Sequence, residues 1–179
     1  AYLFNGFIVY KDVAGTLNGK EGLRKARQKG AESVVTAPNF STKLDYYGIK
    51  GLRLGVSGYF GKSQTDAPET TGAAVGVSML GVDARYTYSN LELKAQYIST
   101  KLSDTEAYNE LTGKDLGSKM AGWYTEIAYS FDLKNEQALT PFLRYEKYNT
   151  HAGTDGAVAM NMAYDRNDLI IGLNYKIVE

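Results

Sequence analysis

Apolar and polar residues alternate along six segments of the chain, which pair off around short turns while the links between pairs are long and polar. The pairs are Asn39–Tyr47 with Leu52–Lys62 around Gly48-Ile49-Lys50, Leu80–Tyr88 with Leu91–Lys101 around Ser89-Asn90, and Lys119–Phe131 with Leu139–Asn149. In Leu52–Lys62 one face carries Leu52, Leu54, Val56, Gly58 and Phe60, and the other carries Arg53, Gly55, Ser57, Tyr59 and Gly61. A period of two with one apolar and one more polar face describes strands of a sheet with two different environments. Outer strands at Tyr2–Tyr10 and Asp168–Ile177 bring the expected number to eight. Each runs for about ten residues, the length a tilted strand needs to cross a hydrocarbon layer about 25 Å thick. The pattern predicts an all-β fold, an antiparallel transmembrane β-barrel read as one domain over residues 1–179.

Register tests this reading, because a slip of one residue would mix the faces. A two-residue turn at Ser89-Asn90 sets Tyr86 against Leu93, Ala84 against Ala95 and Val82 against Tyr97, and on the polar side Thr87 against Glu92, Arg85 against Lys94 and Asp83 against Gln96. The first hairpin is expected to set Asp45 opposite Arg53, and the third Glu126 opposite Arg144. Lys43, Asp45, Arg53, Arg85, Lys94, Glu126, Arg144 and Glu146 are the candidate pore-lining residues, with Asp83, Glu92 and Lys176 on the same faces. In Ala74–Tyr88 the apolar set moves from Val75, Val77 and Met79 to Leu80, Val82 and Ala84, which predicts a β-bulge near Met79–Leu80. In the loops, Thr105–Leu111 reads as a helical turn opened by Asp104 and Lys20–Gln28 as a short helix.

Composition narrows the choice. Fifteen Tyr, six Phe and one Trp suit a headgroup belt, with Tyr46, Tyr47, Tyr59, Phe60, Tyr86, Tyr88 and Phe131 near strand ends and Trp123 read as a belt residue. The longest stretch without a charge, Thr70–Val82, spans 13 residues and contains Gly72, Gly76 and Gly81, too short for a transmembrane helix. No apolar leader is present in this stretch, so any export signal is expected to have been removed or to lie outside it. Without cysteine there is no disulfide or thiol chemistry, and 20 basic against 20 acidic residues give no general case for nucleic acid as partner.

Catalytic and metal chemistry find little support. His151, the single histidine, has Asp155 nearby but reads as a solvated loop residue, so no enzyme is expected. Asp104, Glu106, Asp115, Asp155, Asp165 and Asp168 lack the spacing of a calcium loop. No cofactor is expected. The strongest chemical signal is the run Lys20, Arg24, Lys25, Arg27 and Lys29, interrupted by one acid, Glu21, in the long first loop. Such a cluster is either a solvated face, including one that holds anionic lipopolysaccharide, or an anion filter if the loop enters a lumen.

The runs Gly30-Ala31-Glu32-Ser33, Ala37-Pro38-Asn39-Phe40, Asp45-Tyr46-Tyr47-Gly48, Gly58-Tyr59-Phe60-Gly61 and Pro141-Phe142-Leu143-Arg144-Tyr145-Glu146-Lys147-Tyr148 resemble outer-membrane porins of the phosphate-selective porin O/P type, particularly Bacteroidetes-like versions. The resemblance implies a trimeric barrel of about sixteen strands in the bacterial outer membrane, with a loop constricting the lumen. It implies passive diffusion of small hydrophilic solutes, with anions such as phosphate preferred, and membrane lipid and lipopolysaccharide as partners. This chain has about half the expected strands and ends in Ile177-Val178-Glu179 rather than an aromatic, so it is expected to be an internal portion of a longer polypeptide. Strand number separates plug from pore, since about eight strands enclose a filled interior and about sixteen a water channel. The alternative is a small structural or ligand-binding β-barrel without a conducting pore, and alternation alone does not say which face is inside.

Overall fold

The computed structural model describes residues 1–11, 14–65 and 74–177. Nearly all of the chain lies in one antiparallel sheet. Seven long strands run in sequence order across it, β4 (Pro38–Ile49), β5 (Leu52–Lys62), β7 (Gly76–Tyr88), β8 (Leu91–Ser103), β9 (Lys119–Tyr129), β11 (Ala138–Gly153) and β12 (Asp165–Lys176). The short β1 (Tyr2–Asn5) extends one edge by pairing with Pro38–Ser41, and β10 (Phe131–Asp132) caps the turn end of β11. A second, three-stranded sheet joins β2 (Ile8–Lys11), β3 (Ala14–Gly15) and β6 (Gln64–Thr65). The large sheet is open, and β12 pairs on one side alone. No helix among the described residues is long and apolar enough to cross a membrane.

The central hairpin has the expected register throughout, from Tyr88↔Leu91 to Gly76↔Ser103, with Arg85 opposite Lys94. Ser89 makes its tight turn in the left-handed region at φ 52°. Glu126 faces Arg144 as expected. The first hairpin differs. Its turn is Lys50-Gly51, with Gly51 at φ 80°, and an irregularity between Tyr46 and Ile49 places Asp45 opposite Gly55 instead of Arg53.

Three other expectations are corrected. There is no bulge at Met79–Leu80, since β7 pairs with β5 and β8 without a register shift. The apolar set changes sides there because the environment does: Val77 is buried beneath the loops, whereas Leu80 and Val82 lie exposed on the other face. The segment Tyr2–Tyr10 is two strands in two sheets, broken at Gly6-Phe7, where a β-carbon on Gly6 would lie 2.4 Å from the Asn39 side chain. Lys20–Gln28 forms a single 3-10 turn at Arg24–Ala26. The other loop helix forms as α1 (Thr105–Thr112), entered through Asp104 in the left-handed region and left through Gly113 at φ 64°.

The buried core sits at the loop end of the sheet, on one face. Val9 and Tyr10 of β2 and Leu17 and Ala26 of the first long loop join Tyr108 of α1 and Leu116 against Val75, Val77 and Leu102. Tyr59, Met79 and Met120, from the same sheet face, pack against them. Away from this cap the sheet is a single layer.

Candidate functional site

The two faces of the sheet differ in charge, and register fixes which residue lies on which. One face, called the outer face here, presents Leu44, Leu54, Val56, Leu80, Val82, Leu93, Ile127, Leu143, Ile171 and Leu173, all exposed. Tyr86, Tyr88, Tyr129 and Tyr175 crowd its turn end, Phe40 and Phe60 lie toward its loop end, and Tyr97 and Trp123 share the register row of Val82. Of its charged residues, Lys62, Lys101, Lys119 and Asp165 lie in strand segments next to the loops, and Lys147, in the register row of Trp123 and Tyr97, pairs with Asp165 at 3.4 Å.

The opposite face carries the charges in a ladder of two ion-pair clusters. Asp83 is its first hub, pairing with Arg53 and, at 3.1 Å, with Lys43. Asp45 supports the same cations at 3.4 Å to Lys43 and 3.9 Å to Arg53. Gly55 makes the cluster possible, since a β-carbon there would lie 2.5 Å from Asp83 and 2.9 Å from Asp45. Two strands on, Arg85 and Lys94 share Glu92, and Lys94 reaches Glu126 at 3.0 Å. Glu126 also accepts two bonds from Arg144, at 2.8 and 2.6 Å, and Arg144 reaches Glu146 at 3.9 Å and covers the Tyr124 ring at 4.5 Å. All eight residues singled out from sequence therefore lie on one face. Asp83 and Glu92, grouped with them through period-two alternation, prove to be hubs. Five cations and five acids cancel, so the ladder holds side chains in place without giving this wall a net charge.

The first loop folds over the loop end of that charged face. Tyr108, fully buried, donates to the Leu17 carbonyl and accepts from the Leu17 amide, both at 2.9 Å, and burial pushes its hydroxyl up to about 12. Asp115 accepts from the Gly19 amide at 2.9 Å and from the Tyr164 hydroxyl at 2.8 Å. Burial by itself would raise this carboxyl, but those donors outweigh it and hold it below the ordinary carboxylate range. His151 corrects the sequence reading most sharply. It is 2% exposed, bonded through Nε2 to the Asp115 carbonyl, accepts from the Asn161 amide at Nδ1, and meets Tyr164 edge-on. The ring joins three loops, a role with no local sequence signal.

The basic run is only partly gathered. Lys25, Arg27 and Lys29 line a cleft of about 370 Å³ with Lys11, Thr16 and Gln28, over Ile8. Gln28 is fixed there by donating to the Gly6 and Val34 carbonyls at 2.8 and 3.0 Å. Lys20 and Arg24 lie outside the cleft, with Arg24 exposed and 3.5 Å from Glu21. Among the described residues no group of three or more His, Asp or Glu side chains is placed to hold a metal ion.

No family model matches the chain, and no solved structure matches it. It is similar to an uncharacterized protein of Aquifex aeolicus (strain VF5), 25% identical over 185 residues that cover 98% of this chain and 42% of the relative. The chain thus spans less than half the length of the relative it matches.

Proposed function

We propose that this chain forms part of the wall of an outer-membrane porin that passes small hydrophilic solutes, with anions preferred. The observation that carries the reading is the inversion of the sheet. A water-soluble sheet hides its apolar face and wets its charged one. Here Leu44, Val56, Ile171 and Leu173 are 57–78% exposed on an outer face whose few charges, apart from the Lys147 paired with Asp165, lie at the loop end, while ion pairs and folded loops occupy the other face. Acyl chains are the solvent that suits the outer face, and the tyrosines at its turn end and the phenylalanines at its loop end suit the headgroup levels.

Strand direction supports a larger closed wall. Seven antiparallel strands leave β4 and β12 running the same way, so antiparallel closure needs an odd number of further full-length strands. Nine more would make sixteen, enough for an aqueous channel. The relative, a little over twice as long as its matched part, has length for them. A sheet edge facing lipid would leave backbone groups unbonded at several kcal/mol each, so closure is required in a bilayer. Trimeric assembly and lipopolysaccharide contact rest on the family resemblance. Anion preference rests on the cleft of Lys25, Arg27 and Lys29, because the ladder is neutral.

The test is reconstitution of the full-length polypeptide in planar bilayers. Stepwise conductance is expected, with an anion-to-cation permeability ratio that falls when Lys25, Arg27 and Lys29 are changed together to Gln. The fall should be larger at 0.1 M than at 1 M salt, where the Debye length shrinks from about 10 to about 3 Å. Folded protein in lipid without conductance would leave the non-conducting barrel. An unchanged ratio would leave a general porin.

A further inference from the structure

Between the ion-pair ladder and the loop cap, the charged face has a step at which Gly122 leaves the surface low. Gly81, Ile98, Gly122 and Tyr148 lie side by side across β7, β8, β9 and β11. Gly122 has its nearest cross-strand neighbour in Tyr148, whose β-carbon would be 3.0 Å from one built on Gly122. The resulting cleft, about 170 Å³, is lined by Gln96, Ile98, Gly122, Tyr124, Glu146 and Tyr148, with Trp123 and Lys147 between them, whose register places them on the outer face. At roughly 30 Å³ per water, that is the room of five or six waters, or one ring-sized solute.

Its chemistry differs from that of the ladder beside it. Ile98 is 39% exposed although it points to the charged face, so an aliphatic surface is offered where its neighbours are polar. The two tyrosines are braced from outside the cleft. Arg144 lies over Tyr124 at 4.5 Å while Glu126 holds its guanidinium, and Arg166 lies 5.8 Å from Tyr148. Rings held this way lose little freedom when a solute stacks on them. Gln96 supplies an amide donor and acceptor, and Glu146 a carboxylate whose charge is offset by Arg144 at 3.9 Å. No cationic head group is needed to balance the site, and an anion would meet Glu146.

We propose that this cleft is a subsite for a neutral polyhydroxylated ring, a sugar, which places an apolar face on Tyr124, Tyr148 and Ile98 and its hydroxyls on Gln96 and Glu146. Its role as a station on a solute path rests on the pore reading, whereas binding itself does not. This separates it from the basic cleft of the first loop, which selects charge and offers no ring.

The test uses the full-length polypeptide in an amine-oxide detergent, which has no sugar head group, with maltotriose as probe. Ligand-observed saturation-transfer NMR is expected to show transfer to the sugar ring protons, undiminished by excess inorganic phosphate. Gly122→Leu fills the cleft and should abolish the signal, and Gln96→Leu, which leaves the backbone and both tyrosines alone, should weaken apparent affinity about tenfold, the equivalent of roughly 1.4 kcal/mol. Affinity unchanged in both variants, or displacement by phosphate, would overturn the proposal. Bilayer recordings separate the two readings. Conductance that maltotriose does not interrupt overturns the cleft's place on the solute path, while NMR binding by a protein that never conducts upholds the cleft and removes the pore.

Discussion

Val56→Arg asks the structure which solvent its outer face meets. Val56 is 57% exposed, pairs with Leu44 on one side and Val82 on the other, and lies four residues from Leu52 and four from Phe60 along β5. At about 3.4 Å per residue, that is about 14 Å from each end of the apolar band, near the middle of a hydrocarbon layer about 25 Å thick once strand tilt is allowed for. In water, a guanidinium at a position this exposed would change stability by no more than about 0.5 kcal/mol. In lipid the same charge should cost about 2–4 kcal/mol. Ser57→Arg is the internal control, one residue along the strand but on the charged face, opposite Lys43 and Gly81 and near Asp45 and Asp83. Its cost should stay below about 1 kcal/mol, since like and unlike charges surround it together. Reversible urea unfolding of the full-length protein in phospholipid vesicles reads both. A difference below about 1 kcal/mol between the variants would refute the assignment of the outer face to lipid.

Glu126→Gln removes the carboxylate shared by Lys94 and Arg144; because both cations are about one-third exposed, the cost should be about 1–2 kcal/mol rather than the 3–5 of a fully buried pair, and an unaltered urea midpoint would show that the ladder contributes nothing. Tyr108→Phe leaves the buried Leu17 amide and carbonyl without their partner, at about 1–3 kcal/mol, and should expose the first loop to trypsin at Lys20, Arg24 and Lys25. Since folding raises the Tyr108 hydroxyl above its unfolded value near 10, its contribution is complete below about pH 10 and is lost as pH rises through about 12. Loop proteolysis in the wild type should therefore increase over that window, and the Tyr108→Phe variant should lack this step.

What the sequence determined by itself is the sheet. Alternation with period two is local, so the faces of Leu52–Lys62 and Leu91–Lys101, the central register and the Glu126–Arg144 pair could be read from neighbouring residues alone. Candidate site residues on the strands were legible for the same reason. The loops were not, because their contacts join residues far apart without periodicity. Tyr108 meets Leu17 across 91 positions and Thr150 meets Gly19 across 131, so nothing near His151 announces that it will be buried between three loops. The register of the first hairpin escaped because of the irregularity between Tyr46 and Ile49, and tertiary packing decided the other two strand differences. Val75 and Val77 face the charged side, which the cap makes dry at the loop end alone, so one unbroken strand changes its apolar face without a bulge. Phe7 and Val9 join that same cap while Tyr2 and Leu3 remain on the sheet edge, so a run that alternates like one strand is divided between two sheets.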